Sequence, residues 1–198
     1  MIRGLFQQLQ TLSLAQVKER IREAQTAEDS DLVIITENLS EEAPVCKHEQ
    51  ELRDYIRTFK FTRRITHLFV HCTATQPTAT VTSIQNYWRN SLGWRNPGYH
   101  VILPQEGFTV LMDFNGICNG VAGFNTHGVH ISYIGGINPQ GRALDTRVEM
   151  QTRLIEVFIE EMVKRFPSIK ILGHNEAANK ACPSFRVKEQ YPKYWTGR

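Results

Sequence analysis

The sequence predicts a mixed α/β fold: a central mixed β-sheet flanked by helices, preceded by a partly helical N-terminal extension. Three observations predict it. Short apolar runs of strand length recur near residues 65–72, 98–103, 107–112, 128–134 and 169–172. Amphipathic stretches with helical spacing alternate with them near 81–90 and 147–166. No internal repeat or low-complexity tract interrupts the alternation.

In chain order, Ser13-Leu14-Ala15-Gln16 fits a capping box, and Leu14, Val17, Ile21 and Ala24 then recur on one face, which predicts a first helix of about three turns. Asp31-Leu32-Val33-Ile34-Ile35-Thr36 reads as a short strand and the acidic stretch 37–44 as a loop. Leu52, Tyr55, Ile56 and Phe59 mark another amphipathic helix. Its apolar face needs a cover, either the domain that follows or a docked partner or wall component. The chain therefore divides into an extension over 1–60 and a main domain over 61–198.

In the main domain, Ile84, Tyr87 and Trp88 repeat at helical intervals over 81–90, with Thr82-Ser83-Ile84-Gln85 as the expected capping box. Residues 98–103 and 107–112 read as paired strands, and 128–134 as a further strand. The longest helix is expected over 147–166: Thr146-Arg147-Val148-Glu149 fits a capping box, Leu154, Ile155, Phe158, Ile159 and Met162 line one face, and Pro167 follows the end. Residues 169–172 are then a short strand that delivers His174 to a loop. This places the candidate metal loops at one edge of the sheet.

Composition sets limits on function. With 198 residues and 41% hydrophobic side chains, the chain is that of one globular domain with an appended segment. No apolar run approaches the ~20 residues that span a bilayer. The start, Met1-Ile2-Arg3-Gly4-Leu5-Phe6-Gln7-Gln8-Leu9-Gln10, lacks a sustained apolar h-region and a small-residue cleavage site, so synthesis in the cytoplasm without a Sec signal peptide is expected. Residues 1–60 hold 8 Lys and Arg against 11 Asp and Glu, whereas 61–198 hold 15 against 9. A basic main domain suits approach to an anionic envelope and equally suits a domain with no polyanion partner. No dedicated nucleic-acid motif is present, and a monomer is the expectation.

The chemistry concentrates in Gly173-His174-Asn175-Glu176-Ala177-Ala178-Asn179-Lys180-Ala181-Cys182-Pro183. An imidazole and a thiolate on one short loop can hold a zinc ion, with a cation two residues before the thiolate to stabilise an oxyanion. A third ligand must come from elsewhere. His71 is the best donor, because an apolar run ends there in His-Cys-Thr, where a buried strand opens into a loop. Three protein ligands plus one open position is the catalytic pattern. A lone histidine at a strand end is more often structural, and a lone cysteine is more often a small core hydrophobe. From the residues alone, the zinc site and the structural reading stay equally open.

Five segments in order carry a resemblance: Phe69-Val70-His71-Cys72-Thr73-Ala74-Thr75, Gly93-Trp94-Arg95-Asn96-Pro97-Gly98-Tyr99-His100, Val121-Ala122-Gly123-Phe124-Asn125, Tyr133-Ile134-Gly135-Gly136, and the loop from Gly173-His174 to Cys182-Pro183. Together they resemble the zinc-dependent N-acetylmuramoyl-L-alanine amidases, which share a fold with peptidoglycan recognition proteins, and the phage-endolysin branch in particular. The likeness implies one zinc per chain held by His71, His174 and Cys182. It implies Tyr99 and Lys180 as catalytic residues, and Trp94 and Arg95 as a groove wall for sugar and stem-peptide carboxylate. The implied reaction cleaves the amide between the lactyl group of N-acetylmuramic acid and L-alanine in peptidoglycan, after the protein is released to the cell wall. The alternative is a muropeptide-binding module of the same fold without catalysis, the usual route being loss of the cysteine ligand, which this chain retains.

Two features stand outside the resemblance. Relatives usually carry a small residue, often glycine, where this chain has His130, with His127 nearby. Period two places His130 and Ser132 on one face and Val129, Ile131 and Tyr133 on the other; toward the metal, His130 could hydrogen-bond a ligand or narrow the groove, whereas an outward, solvated His130 is the favoured expectation. Asn125 and Thr126 are candidates for lining the groove. Cys46, Cys72, Cys118 and Cys182 are widely spaced, and reduced thiols are the default. A Cys72 to Cys118 bridge stays open because some relatives of this fold carry disulfides. Cys72 is not expected to ligate beside His71, since adjacent strand residues point to opposite faces.

Overall fold

Two runs of aliphatic residues interrupted by histidines, HLFVHC and GVHISY, form the central strands of the sheet. The structure is a computed structural model that describes residues 47–194. The helix expected after Ser13, the strand over 31–36 and the loop over 37–44 lie outside the described residues. Among the described residues, five strands, β1 (His67–Cys72), β2 (Val101–Leu103), β3 (Thr109–Val110), β4 (Gly128–Tyr133) and β5 (Lys170–Gly173), lie in the order β3-β2-β4-β1-β5. β1 runs parallel to both β4 and β5, β2 runs parallel to β4, and only the β2–β3 pair is antiparallel. The helices are α1 (Lys47–Thr58), α2 (Val81–Asn90), α3 (Glu149–Arg165) and two single turns, α4 (His174–Ala177) and α5 (Val187–Gln190). This is the mixed sheet flanked by helices that the sequence predicts.

Alternation along the strands sorts side chains onto two unlike faces. Leu68, Val70 and Cys72 of β1, with Val129, Ile131 and Tyr133 of β4, join one large core. α3 contributes Leu154, Ile155, Phe158, Ile159 and Met162 to that core, all fully buried, as the helical spacing requires. The opposite face carries Phe69, His71, His130 and Ser132, and all four are also fully buried. Parallel strands covered on both sides are normally apolar throughout. Two histidines and a serine inside such strands therefore mark a place where the fold gives up packing energy.

α1 answers what covers the amphipathic stretch before the main domain. Its Leu52 and Ile56 are fully buried in the core built around α3. Polar clamps flank that seam. Arg53 and Arg57 both reach Glu161 on α3, at 2.8 and 2.7 Å, Arg53 also pairs with Glu160, and Arg153 pairs with Glu49.

Helix and strand existence follow the sequence, while caps and ends differ for local reasons. α2 starts where expected, but its cap is Thr80: the Thr80 hydroxyl accepts the Ser83 amide and Ser83 Oγ accepts the Thr80 amide, both at 3.1 Å. α3 begins two residues later than expected, because Thr146 Oγ1 is engaged by the Gly136 amide at 2.9 Å. Gln151 supplies the cap instead, its Oε1 accepting the Val148 amide, while its Nε2 donates to the carbonyls of Leu103 and Ile134. That amide thereby ties the helix start to the ends of β2 and β4. Residues 98–100 precede β2 rather than belong to it.

Burial alone would raise the Glu161 carboxyl, but hydrogen bonds from Arg57, Lys164 and Arg53 outweigh it and pull its pKa down to about 2. A depressed carboxylate stabilises the fold above its unfolded pKa and loses that contribution as pH falls through the folded value. Glu161→Gln is expected to lower stability by about 2 kcal/mol at pH 7, allowing for the partly exposed arginines. The gap between variant and wild type should close between pH 4.5 and 2, measured by urea unfolding across that range; a gap independent of pH refutes the assignment.

Candidate metal centre

His71 is the fifth of the six residues of β1, and His174 directly follows β5, the parallel neighbour of β1. Parallel pairing brings their exits to the same end of the sheet, where ligands of α/β folds collect. The loop after α4 then doubles back. The Asn175 amide donates to the Cys182 carbonyl at 2.7 Å, Asn175 Nδ2 donates to the Phe185 carbonyl at 2.9 Å, and the buried Tyr133 hydroxyl donates to the Pro183 carbonyl at 2.7 Å. These bonds hold Cys182 over the end of β1.

The result is a convergence of three ligand atoms, one each from His71, His174 and Cys182, all within 4.8 Å of one another. Cys182 Sγ lies 3.6 Å from His71 Nδ1. A tetrahedral zinc with Zn–S near 2.3 Å and Zn–N near 2.0–2.1 Å spans an S···N edge of about 3.6 Å. The donor set, two imidazoles and a thiolate, is the borderline-soft combination that suits this ion.

Electrostatics prepare the two imidazoles for a cation, while the thiol is pulled both ways. Burial, then the neighbouring His130 and His174, push the pKa of His71 well down, and burial followed by Lys180 lowers that of His174. Both imidazoles are thereby kept neutral, with lone pairs to offer. Mutual hydrogen bonding of the two thiols divides them: it lowers Cys72 to about 7 and raises Cys182. The Cys72 amide, which donates to Cys182 Sγ at 3.2 Å, and the charge of Lys180 pull Cys182 the other way, toward thiolate.

Tyr99 stands beside this cluster. Its ring centroid is 5.0 Å from that of His71, and its hydroxyl donates to the Cys72 carbonyl at 3.2 Å. Burial drives its pKa far up, followed by the charges of Cys182 and Cys72, so the phenol stays protonated and serves as a donor. Lys180 is exposed on the same loop, its charge felt by both His174 and Cys182. Trp94 and Arg95 are not in the cluster. They line a cleft of about 300 Å³ with Gln85, Trp88 and Arg89, among others. Trp88 links that cleft to Tyr99, stacking on Trp94 at 6.3 Å and meeting the Tyr99 ring edge-on at 5.3 Å.

The structure corrects the expectation for His130 and adds detail to the others. His130 is fully buried, not solvated: its Nδ1 lies 3.1 Å from His71 Nε2. The strand alternation that pairs it with Ser132 was legible, but which face met the metal ligands was not. Room for the ring comes from Gly120 and Gly128, where an added Cβ would sit 2.3 Å from Nδ1 and 3.0 Å from Nε2 of His130. Cys72 and Cys118 are free thiols, the first 3.7 Å from Ser184 Oγ and the second against Met112 Sδ. Asn125 turns inward, its Oδ1 accepting the Val121 amide, and the Asn125 and Thr126 carbonyls accept from Arg63. His100, which sequence reasoning passed over, is also buried; the His130 amide donates to its Nδ1 at 3.1 Å.

Residues 61–185 match the family model described as N-acetylmuramoyl-L-alanine amidase. The chain is 29% identical over 138 residues to the endolysin of Klebsiella phage KP32, covering 68% of this chain and 91% of the relative. Among solved structures, the Ph2119 endolysin from the Thermus scotoductus MAT2119 bacteriophage superposes with a TM-score of 0.55 at 21% identity, covering 69% of this chain and 88% of that one. A Drosophila PGRP-LB variant in complex with tracheal cytotoxin gives a TM-score of 0.57 at 17% identity, covering 70% and 88%. At these identities the structural likenesses show a common fold.

The tight slot around His130 has a mechanical consequence. Gly120→Ala should destabilise the protein by about 1–3 kcal/mol, because the added methyl meets a ring packed on all sides. Chemical denaturation measures it; unchanged stability means that the ring can leave its slot without loss.

Proposed function

Because this chain belongs to the N-acetylmuramoyl-L-alanine amidase family, we propose that His71, His174 and Cys182 hold one zinc ion and that Tyr99 and Lys180 serve the reaction directly. The enzyme itself is an N-acetylmuramoyl-L-alanine amidase with a cell-wall lytic function, hydrolysing the amide between the lactyl group of N-acetylmuramic acid and L-alanine. The observation that carries the zinc assignment is the convergence of three ligand atoms within 4.8 Å.

When bound, zinc supplies Lewis-acid polarisation of the scissile carbonyl and acidification of water. The protein's own groups do the rest. The Lys180 ammonium lies on the loop that carries two ligands, and its role is to stabilise the oxygen that becomes negative as the carbonyl is attacked. Tyr99 holds its proton on Oη, donates it in a hydrogen bond to the Cys72 carbonyl beside His71, and orients water or substrate there; the departing amine nitrogen takes up the proton given up by the attacking water as the C–N bond breaks. Burial of His71 on a sheet face lined by Phe69 lowers the local dielectric and strengthens each of these interactions.

The cleft with Trp94 and Arg95 is assigned to substrate: an indole face for the sugar ring and a guanidinium for a stem-peptide carboxylate. The substrate polymer is peptidoglycan, reached after synthesis in the cytoplasm and release to the wall. Among the described residues, no helix is long and apolar enough to cross a membrane. Retention of Cys182 next to His71 favours catalysis over a binding-only module.

Mass spectrometry of digested peptidoglycan, with and without chelator, tests the reaction and its metal together. Free peptides beginning with L-alanine are expected, and their release should stop in chelator and return with zinc. Cys182→Ser should lose both the ion and the activity; full activity in a variant holding no zinc sinks the assignment. Lys180→Ala should lower kcat about 100-fold at unchanged zinc content, the scale of removing one oxyanion-stabilising group. An unaffected kcat removes Lys180 from the machinery.

A further inference from the structure

We propose that His130 is a positioning residue: its Nδ1 accepts the Nε2–H of His71 and thereby fixes His71 with the Nδ1 lone pair aimed at the point shared with His174 and Cys182. This rests on the reading of those three residues as metal ligands. The geometry that carries it is the contact of 3.1 Å between His71 Nε2 and His130 Nδ1, made where both side chains are fully buried.

The tautomer follows from the other end of His71. Its Nδ1 is the nitrogen that faces Cys182 Sγ, at 3.6 Å. A nitrogen that ligates has no proton, so the neutral ring carries its hydrogen on Nε2. That N–H points into the interior, where it needs an acceptor, and His130 Nδ1 stands at hydrogen-bond distance. An imidazole that ligates a metal through one nitrogen is oriented by whatever receives the proton on the other. In this chain a second imidazole takes the part more commonly played by a carboxylate or a backbone carbonyl.

His130 is itself held rigidly. Its ring stacks between Phe69, at 5.4 Å and 12°, and His100, at 5.7 Å and 7°. Its amide is anchored on His100 Nδ1 at 3.1 Å, so that nitrogen accepts, and His100 Nε2 is held between the Gly116 carbonyl and Arg63 Nη2, each at 3.2 Å. Gly120 and Gly128 leave the space the ring occupies. The remaining nitrogen, His130 Nε2, is buried and makes no hydrogen bond with the described residues. An apolar ring in the same slot leaves no such orphan, so shape alone does not account for a histidine here. Among the described residues, its one side-chain hydrogen bond goes to His71.

Zinc affinity is the direct readout, measured on the full chain by competition with a chromophoric chelator, alongside the visible spectrum of the cobalt-substituted protein. His130→Leu keeps bulk and removes the acceptor; His130→Asn is smaller but keeps an acceptor, its Oδ1, close to the place of Nδ1. The leucine variant should bind zinc about 10–100-fold more weakly, the usual penalty for losing such a partner, with altered cobalt bands. The asparagine variant should stay within about threefold of wild type by the same scale, with bands unchanged. A leucine variant that binds like wild type overturns the proposal, as does an asparagine variant that loses as much as leucine, since packing then explains the loss. If the leucine variant does not fold, His130→Ala replaces it in the same comparison. Wild-type protein that binds no zinc refutes the ligand assignment itself, a separate outcome from equal binding by all variants.

Discussion

The parallel pairing of β1 between β4 and β5 is the constraint on which the site depends. It sets His71 beside the exit of β5, so that His174 needs no further travel to reach it. It also sets Phe69 opposite His130 and His71 opposite Ser132 across the β1–β4 ladder. A slip of one residue in β1 would turn His71 toward α3 and bring Val70 or Cys72 to the polar face, because side-chain direction reverses at each step. Loops alone could not hold three donors to this tolerance. Here two donors sit at strand ends, and the third is tied down by Asn175 and Tyr133.

The two faces of the sheet divide the work. One is packed against α3 and α1 and is apolar except at its rim, where Arg53, Arg57 and Glu161 meet. The other holds imidazoles, a serine and a tyrosine under a cover of Trp88, Val121 and Phe124. Burying polar rings is unfavourable unless each finds a partner. His71 Nε2 meets His130 Nδ1, and His100 meets the His130 amide and the Gly116 carbonyl, which leaves His130 Nε2 as the uncompensated ring atom among the described residues. Stability from the first face makes the second tolerable.

Much of this was legible in the sequence, for identifiable reasons. Helical spacing in 147–166 and 81–90 and the apolar runs around His71 and His174 are local signals, and the elements they mark are present. Caps were misplaced because several hydroxyls compete locally: Thr80 and Thr82 both fit a cap, and only tertiary contacts decide, as the capture of Thr146 by Gly136 illustrates. Residue types in the His174 to Cys182 loop left a zinc site and a structural role equally open, and the resemblance of five ordered segments tipped the balance. His130 did not, since alternation says which residues share a face and nothing about what that face meets. Its best signal lay in Gly120 and Gly128, two missing side chains whose purpose appears only beside the ring they admit.

The helix α1 gives this protein two different boundaries. The inherited chemical unit, by likeness, runs from 61 to 185, whereas Leu52, Ile56 and the guanidinium groups that neutralise Glu161 come from before it. Trimming to the shared region would keep every residue of the site and uncover an apolar stripe together with a buried carboxylate stripped of two of its three cations. The smallest piece that can do the chemistry is therefore shorter than the smallest piece that can stay soluble while doing it.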